Sequence, residues 1–431
     1  MITARAFAGK KYAVYGLARS GLATAAALMA SDAEVTAWDA KEAAREVLRS
    51  SLPQCRIADL DEVDLGQFDS LVVTPGLPLN RHPVALRARD AGVEIIGDIE
   101  LFSRARPELP SHKVVGITGT NGKSTTTALI HHILETAGFA TTMGGNIGLP
   151  ILAQEALPEG GIYVLELSSY QIDLTFSLDC EVAVLLNVTP DHLDRYDGFA
   201  AYRASKMRLF ELQSPDHIAV FTREDQFGFG AYQDRSSRAR DSTLLAVRGD
   251  AVNQENWPAL QGPHNAQNAA AAIAACRALG VGAGEIELGL RSYPGLPHRM
   301  ERVREMDGVL FVNDSKATNP TATAPALAAF GRIRWICGGQ AKTDNLDECA
   351  PHFGHVAKAY TIGEAGELFA RLLSPHMSVA ECETLERAVG AAAAEAETGE
   401  TVLLSPACAS FDQFRDFEAR GEQFRELVGA L

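Results

Sequence analysis

The run GITGTNGKS, from Gly116 to Ser124, has the residue types needed to hold a polyphosphate. It follows a short apolar run and opens a helical pattern, STTTALIHHILETAG, whose apolar positions Leu129, Ile130, Ile133, Leu134 and Ala137 fall on one side. A helix N-terminus presents unpaired N–H groups and a partial positive charge, so it binds anions. The glycines let the backbone wrap the ligand. Lys123 would reach the β- and γ-phosphates, and the Ser124 hydroxyl would meet Mg²⁺. The loop departs from the usual nucleotide pattern: five residues separate Gly116 from Gly122 where four are usual, and Gly119 is extra.

Further positions carry oxygen, nitrogen or charge at strand ends. VLELSSYQ runs an apolar strand into Glu166, a natural hard-oxygen ligand for Mg²⁺ or, read alone, a capping residue. LLNVTPDHLDRYDG brings Asn187, Asp191, His192 and Asp194 after another strand; His192 reads as a metal ligand or a hydrogen-bonding loop residue. In YRASKMRLF, Lys206 has Tyr202 and Phe210 four residues to either side. Spacing alone favours a surface lysine with a snorkelling stem. The sharper reading is a buried amine, shifted toward its neutral form, that captures CO₂ as a carbamate. Gly16-Leu-Ala-Arg-Ser-Gly21 approximates G-x-G-x-x-G with Ala18 in the middle, and Asp39 follows about twenty residues on, where a ribose-binding acid would sit. Arg299, Arg302, Asp314, Lys316 and Lys342 concentrate cations and one acid near apolar strand ends in LPHRMER, VNDSKATNP and GGQAKTDN. In an acidic chain that local excess suggests an anionic ligand, with ordinary loop charge as the plain alternative.

These residues need rigid elements to place them. The chain has 431 residues, 46% hydrophobic, with 39 Lys+Arg against 55 Asp+Glu and a formal net charge of −16. That allows several buried cores and argues against disorder and against a general nucleic-acid binder. The seven cysteines are scattered with no C-x-x-C pair, which predicts a reduced protein without disulfides or structural zinc. No apolar run reaches the ~18 residues of a spanning helix, so no membrane insertion and a cytoplasmic location are expected.

Three stretches alternate β-rich runs with helical patterns, the signature of parallel sheets covered by helices. The first holds KYAVYGL, EVTAW, SLVVTPG and VEIIGD; the second KVVGITG, GIYVLELSS and EVAVLLNVTPDH; the third GVLFVND, RIRWICGG, KAYTIG and TVLLSPA. SRARPELPSHK and RSYPGLPHR read as linkers. The expected fold is α/β in three domains: Rossmann-like over 1–106, a phosphate-loop ATPase with a mainly parallel sheet over 107–296, and Rossmann-like over 297–431.

Taken together, GITGTNGKST, HNAQN, GGNIGLP, ELSSYQ, NVTPDHLDRY, NDSKATNP and LLSPACASFDQF resemble the bacterial Mur ligase family, over nearly the whole chain. The last two segments most resemble its D-glutamate-adding members. The resemblance implies ATP, two Mg²⁺ ions, UDP-N-acetylmuramoyl-L-alanine and D-glutamate as ligands, and a monomer. Residue by residue, it implies that Gly119, Thr120, Asn121, Gly122, Lys123, Ser124 and Thr125 hold ATP phosphates. Asn265 and Asn268 take the adenine side. Arg299, Asp314 and Lys316 contact ATP and the reacting centre from the C-terminal domain. Ser124, Glu166, His192 and a carbamylated Lys206 would ligate metal, and Asn146 lies near the γ-phosphate and the precursor's carboxyl end. Ala18, Arg19, Asp39, Gly76, Asn146 and Ser168 face the UDP precursor; His192, Thr318, Lys342, Ser410 and Phe417 face D-glutamate. The expected catalytic set is Lys123, Lys206, His192 and Asn146. The implied chemistry is ATP activation of a carboxylate as an acyl phosphate, followed by amine attack, with closure of the C-terminal domain hinged near Tyr293 to Arg299 to exclude water. Other readings stay open: a sibling ligase or folylpolyglutamate synthase-like enzyme, a nicotinamide oxidoreductase resting on the N-terminal glycines, and a regulatory nucleotide-binding protein without chemistry.

Overall fold

Parallel strands buried on both faces read as continuous apolar runs, and the computed structural model builds its sheets from such runs. It describes all of residues 1–431 apart from 192–194, 224–226, 229, 231–232 and 234–243. The first sheet contains β1 (Lys11–Tyr15), β2 (Glu34–Trp38), β3 (Arg56–Ile57), β4 (Ser70–Val73) and β5 (Glu94–Ile96), ordered β3-β2-β1-β4-β5 and parallel throughout. The second contains β6 (His112–Thr118), β7 (Thr141–Gly145), β8 (Gly161–Glu166), β9 (Val182–Leu185), β10 (Ile218–Thr222) and β11 (Leu244–Val247), ordered β11-β10-β9-β6-β8-β7 and also parallel.

The third sheet contains β12 (Glu301–Met306), β13 (Val309–Asn313), β14 (Ile333–Gly338), β15 (Val356–Ile362), β16 (Ser378–Glu383) and β17 (Thr401–Leu404), ordered β12-β13-β17-β14-β15-β16. Only β12 runs antiparallel to its neighbour. The fold is thus α/β with three mainly parallel sheets, the class the sequence predicts.

The chain divides into two compact units, Met1–Val252 with Ala266–Leu290, and Asn253–Asn265 with Arg291–Leu431. The first and second sheets share a unit because one core runs through both: Tyr12, Val14 and Val72 belong to the same buried cluster as Tyr163, Leu165 and Ala183. The stretch read as the first linker, Ser103 to Lys113, is built into this unit. Arg106 donates to the Asp179 carbonyl and to Glu181 Oε1 (2.8 Å), and the buried Glu100 accepts from the backbone N–H groups of Phe176 (2.7 Å) and Ser177 (3.0 Å). In the other unit, alternate residues of β14 face opposite cores, Trp335 in one cluster and Ile336 in the next.

All seven cysteines are free and buried. Among the described residues, no helix is long and apolar enough to cross a membrane.

Candidate active site

Strand β6 delivers the chain to Gly119, and the helix Lys123–Thr136 begins with Gly122 as its N-cap. Gly122 has φ +85°, and a Cβ there would lie 2.2 Å from Asn268 Oδ1. Both the left-handed backbone and the close approach of Asn268 require glycine. Three strand-end contacts brace the loop. Asn187 accepts from Thr120 N–H at its carbonyl (2.8 Å) and from Asn121 N–H at its side-chain oxygen (2.8 Å), and its amide donates to the Asn121 carbonyl (3.1 Å). Asn187 carries no special pattern beyond ending an apolar run, so the sequence named it without giving it a role.

Lys123 Nζ donates to the carbonyls of Gly119 (3.0 Å) and Thr120 (2.8 Å), and Lys206 Nζ donates to the same Gly119 carbonyl (2.8 Å). Two lysine amines therefore meet at one carbonyl of the glycine turn. Lys206 is 1% exposed, which overturns the surface reading favoured by its spacing. Its helix, Gly198–Glu211, turns Tyr202 and Phe210 inward on the same face, and Lys206 goes in with them. Burial, and next the charge of Lys123, push its amine well below the usual lysine range toward the neutral form.

Glu166 ends β8 at the same sheet edge and is 2% exposed. Its Oε1 accepts from Asn146 Nδ2 (3.0 Å), while its carbonyl accepts from Asn146 N–H (2.9 Å). Its Oε2 is buried with no hydrogen-bond partner among the described residues. Leaving a buried carboxylate oxygen unmet costs about 1–3 kcal/mol or more. Such an orphan, on the strand paired with β6 just before the glycine turn, is the environment a hard divalent cation would satisfy. His192 lies outside the described residues, and no group of three or more His, Cys, Asp or Glu side chains suited to a metal occurs among the rest.

On the first sheet, Asp39 accepts from Leu17 N–H (2.7 Å) and Lys41 N–H (2.8 Å), Ala18 is the N-cap of helix Arg19–Ala30, and the Gly76 carbonyl accepts from Arg195 (3.0 Å). Gly16 and Gly21 are explained by their own packing, since a Cβ on Gly21 would fall 1.8 Å from the Gly16 carbonyl. Ser168 caps the helix Ser169–Asp173 by accepting from Gln171 N–H (3.3 Å).

In the second unit, two pairs come together: Lys342 Nζ donates to Thr318 Oγ1 (3.2 Å), and Lys316 Nζ sits 3.7 Å from the centre of the Phe417 ring. Asp314 is buried, accepting from Ser405 Oγ (2.8 Å) and Met300 N–H (3.2 Å), and burial raises its carboxyl to about 7. Arg299 N–H donates to Leu296 O (3.2 Å), and Asn265 donates to Gln261 O (3.1 Å). Ser410, 2% exposed, accepts from Phe414 N–H at its carbonyl (2.8 Å). The sequence did not single out Arg420, which is 1% exposed. It donates to Ser315 O (2.9 Å), Cys408 O (3.1 Å) and Ala409 O (3.3 Å), fastening NDSKATNP to LLSPACAS.

A strand, a glycine turn and a helix with a lysine at its first position define an α/β protein that binds nucleotide phosphates. The chain belongs to the Mur ligase family. It matches the Mur ligase MurD-like N-terminal domain over residues 10–97, the Mur ligase middle domain over 117–276 and the Mur ligase glutamate ligase domain over 298–408. It is 60% identical to the UDP-N-acetylmuramoylalanine--D-glutamate ligase of Novosphingobium aromaticivorans, covering 100% of this chain and 97% of that one. It is 58% identical to the ligase of the same name from Sphingopyxis alaskensis, with full coverage of both. Among solved structures it resembles the UDP-N-acetylmuramate-alanine ligase MurC of Thermotoga maritima, with TM-score 0.60 at 17% identity over 98% of this chain and 99% of that one. It also resembles the MurF ligase of Thermotoga maritima in complex with ADP, with TM-score 0.59 at 17% identity over 90% and 93%. At those identities the two structures speak for the fold.

Proposed function

We propose that this chain joins D-glutamate to the alanyl carboxylate of UDP-N-acetylmuramoyl-L-alanine, consuming ATP, in peptidoglycan synthesis. The observation that carries this reading is the meeting of Lys123 and Lys206 at the Gly119 carbonyl, with the unmet oxygen of Glu166 on the same strand edge. The identity of 55–60% to ligases bearing that name, over the whole chain, supports the choice of substrates.

A carboxylate is a poor electrophile. Transfer of the γ-phosphoryl group to the alanyl carboxylate oxygen makes an acyl phosphate and frees ADP. The D-glutamate amine then attacks the acyl carbon, loses a proton, and expels phosphate as the amide forms. Lys123 and the N–H groups at the start of its helix would bind the phosphates and carry part of the developing charge. Asn146, fixed twice to Glu166, would orient the carboxylate to be activated. Ser124, Glu166, His192 and a carbamate on Lys206 would hold two magnesium ions, which supply charge neutralisation between the anionic reactants. Thr318, Lys342, Ser410 and Phe417 would bind D-glutamate, Arg299, Asp314 and Lys316 would contact ATP and the reacting centre, and the amine's proton ends on the released phosphate. We assign the UDP-binding, ATP-binding and amino-acid-binding roles to residues 1–106, 107–296 and 297–431. A monomer in the cytoplasm completes the reading. The test is release of ADP and phosphate from ATP and the precursor with a panel of amino acids; no release with D-glutamate would overturn it.

A further inference from the structure

We propose that Arg195 is a positioning residue that locks the first-sheet loop at residues 74–77 to the aromatic wall around Lys206, so that the UDP end of the precursor helps place its carboxyl end. This rests on the reading that the 74–77 loop faces the UDP moiety and that Lys206 lies at the reacting centre.

The Arg195 guanidinium donates to two successive carbonyls, Gly76 (3.0 Å) and Leu77 (2.5 Å), more than a hundred residues away in sequence. Its plane lies over the Tyr170 ring, 4.4 Å from the centroid. Tyr170 stacks on Tyr196 (5.9 Å, 12°), and Tyr196 packs on Tyr202 (5.4 Å). Tyr202 carries Lys206 Nζ over its face at 4.5 Å and places its hydroxyl 3.3 Å from Thr120 Oγ1 in the phosphate turn. Tyr196 is itself pinned, its hydroxyl donating to Asp173 Oδ2 (2.8 Å).

A second arginine makes the reciprocal link. Arg19, from the first glycine turn, donates to the Gly148 carbonyl (2.8 Å) in the GGNIGLP loop that presents Asn146. Each glycine-rich loop that would touch the two ends of the precursor is thus tied across the two sheets by a guanidinium. A fork with several fixed donors can grip two carbonyls and an aromatic face at once, which an ammonium cannot. Binding energy from the remote UDP group raises the rate only if it is transmitted to the reacting end, and Arg195 is built to transmit it.

The experiment compares two substrates, UDP-N-acetylmuramoyl-L-alanine and the same sugar-alanine bearing only a 1-phosphate, in wild-type protein, Arg195→Met and Arg195→Lys. With Arg195→Met, kcat for the full precursor at saturation should fall by about ten- to a hundredfold, the range spanned by hydrogen bonds to a charged group, whereas a rise in KM alone would mean that the loop only binds UDP and would overturn the strut. The truncated substrate should lose less than about threefold, because it has no UDP to exploit the strut. Arg195→Lys should recover part of the loss, with ATP-analogue affinity unchanged in both variants. Should Arg195→Met fail to fold, Tyr170→Leu, which removes the ring beneath the guanidinium, should show the same selective loss. Equal losses on both substrates, or no loss on either, would overturn the strut alone. A wild-type protein that forms no amide from either substrate would overturn the ligase reading and the strut with it.

Discussion

Two amines sharing one carbonyl is an electrostatically unfavourable arrangement until an anion arrives. Lys123 and Lys206 at Gly119 therefore describe a site prepared for negative charge, with Lys206 driven toward its neutral form by burial and by Lys123. Replacing Lys123 by Ala should lower ADP release by about a hundred- to a thousandfold, as loss of one preorganised stabilising group typically does. Thermal stability should be nearly unchanged, since Lys123 bonds its own loop, and retained turnover would refute the phosphate-loop role. Lys206 should gain the mass of CO₂ under CO₂-replete conditions; an unmodified amine there would remove the carbamate. Asp314 gives a pH prediction. Its folded-state proton affinity, near 7, exceeds that of an unfolded aspartate, so the folded chain holds more protons and stability falls as pH rises from about 4 to 7. Asp314→Asn should remove that slope, gaining on wild type at ~1.4 kcal/mol per tenfold difference in proton affinity, up to a few kcal/mol above neutrality. Parallel denaturation curves for the two proteins from pH 4 to 8 would contradict the burial argument.

At the scale of elements, the site depends on a strand delivering a glycine turn to a helix. Gly122→Ala would force a side chain into a left-handed backbone and against Asn268 Oδ1. A loss of about 1–2 kcal/mol from the backbone alone is expected, with a larger loss of nucleotide affinity, measured by calorimetry with an ATP analogue. Unchanged affinity would mean that the turn does not carry the phosphates. This turn was legible in the sequence because glycine, lysine and serine at fixed offsets after an apolar run leave few alternatives. The central strands were legible for the same reason: β1, β4, β8, β9, β14 and β17 are buried on both faces and read as apolar runs. Three of the edge strands were not, although β5 was, as VEIIGD. ERVREM of β12 and SVAECE of β16 are half-solvated and charged, and TTMGG of β7 is poor in large side chains, so none announces itself by pattern. Lys206 misled for a related reason, because spacing reveals the apolar face of a helix but not that a lysine on it is enclosed.

For the whole molecule, three sheets appear in two compact units, because apolar side chains continue from the first sheet into the second. Thermal unfolding should resolve no more than two transitions, and a third, separable transition for residues 1–106 would contradict that shared core. The alternation of strands and helices made three sheets predictable. The shared core was not, since it depends on which faces meet, which no local pattern encodes. The role of Arg195 was likewise invisible, the carbonyls it holds lying more than a hundred residues away. Its effect is read only when the whole precursor is supplied. The most direct measurement for the central claim follows ADP, phosphate and amide together from ATP and UDP-N-acetylmuramoyl-L-alanine, with D-glutamate, L-glutamate, L-lysine or L-alanine as the amine. One ADP and one phosphate per amide, with D-glutamate alone, is the predicted result. No ADP with D-glutamate, or equal turnover with all four amino acids, would contradict the account.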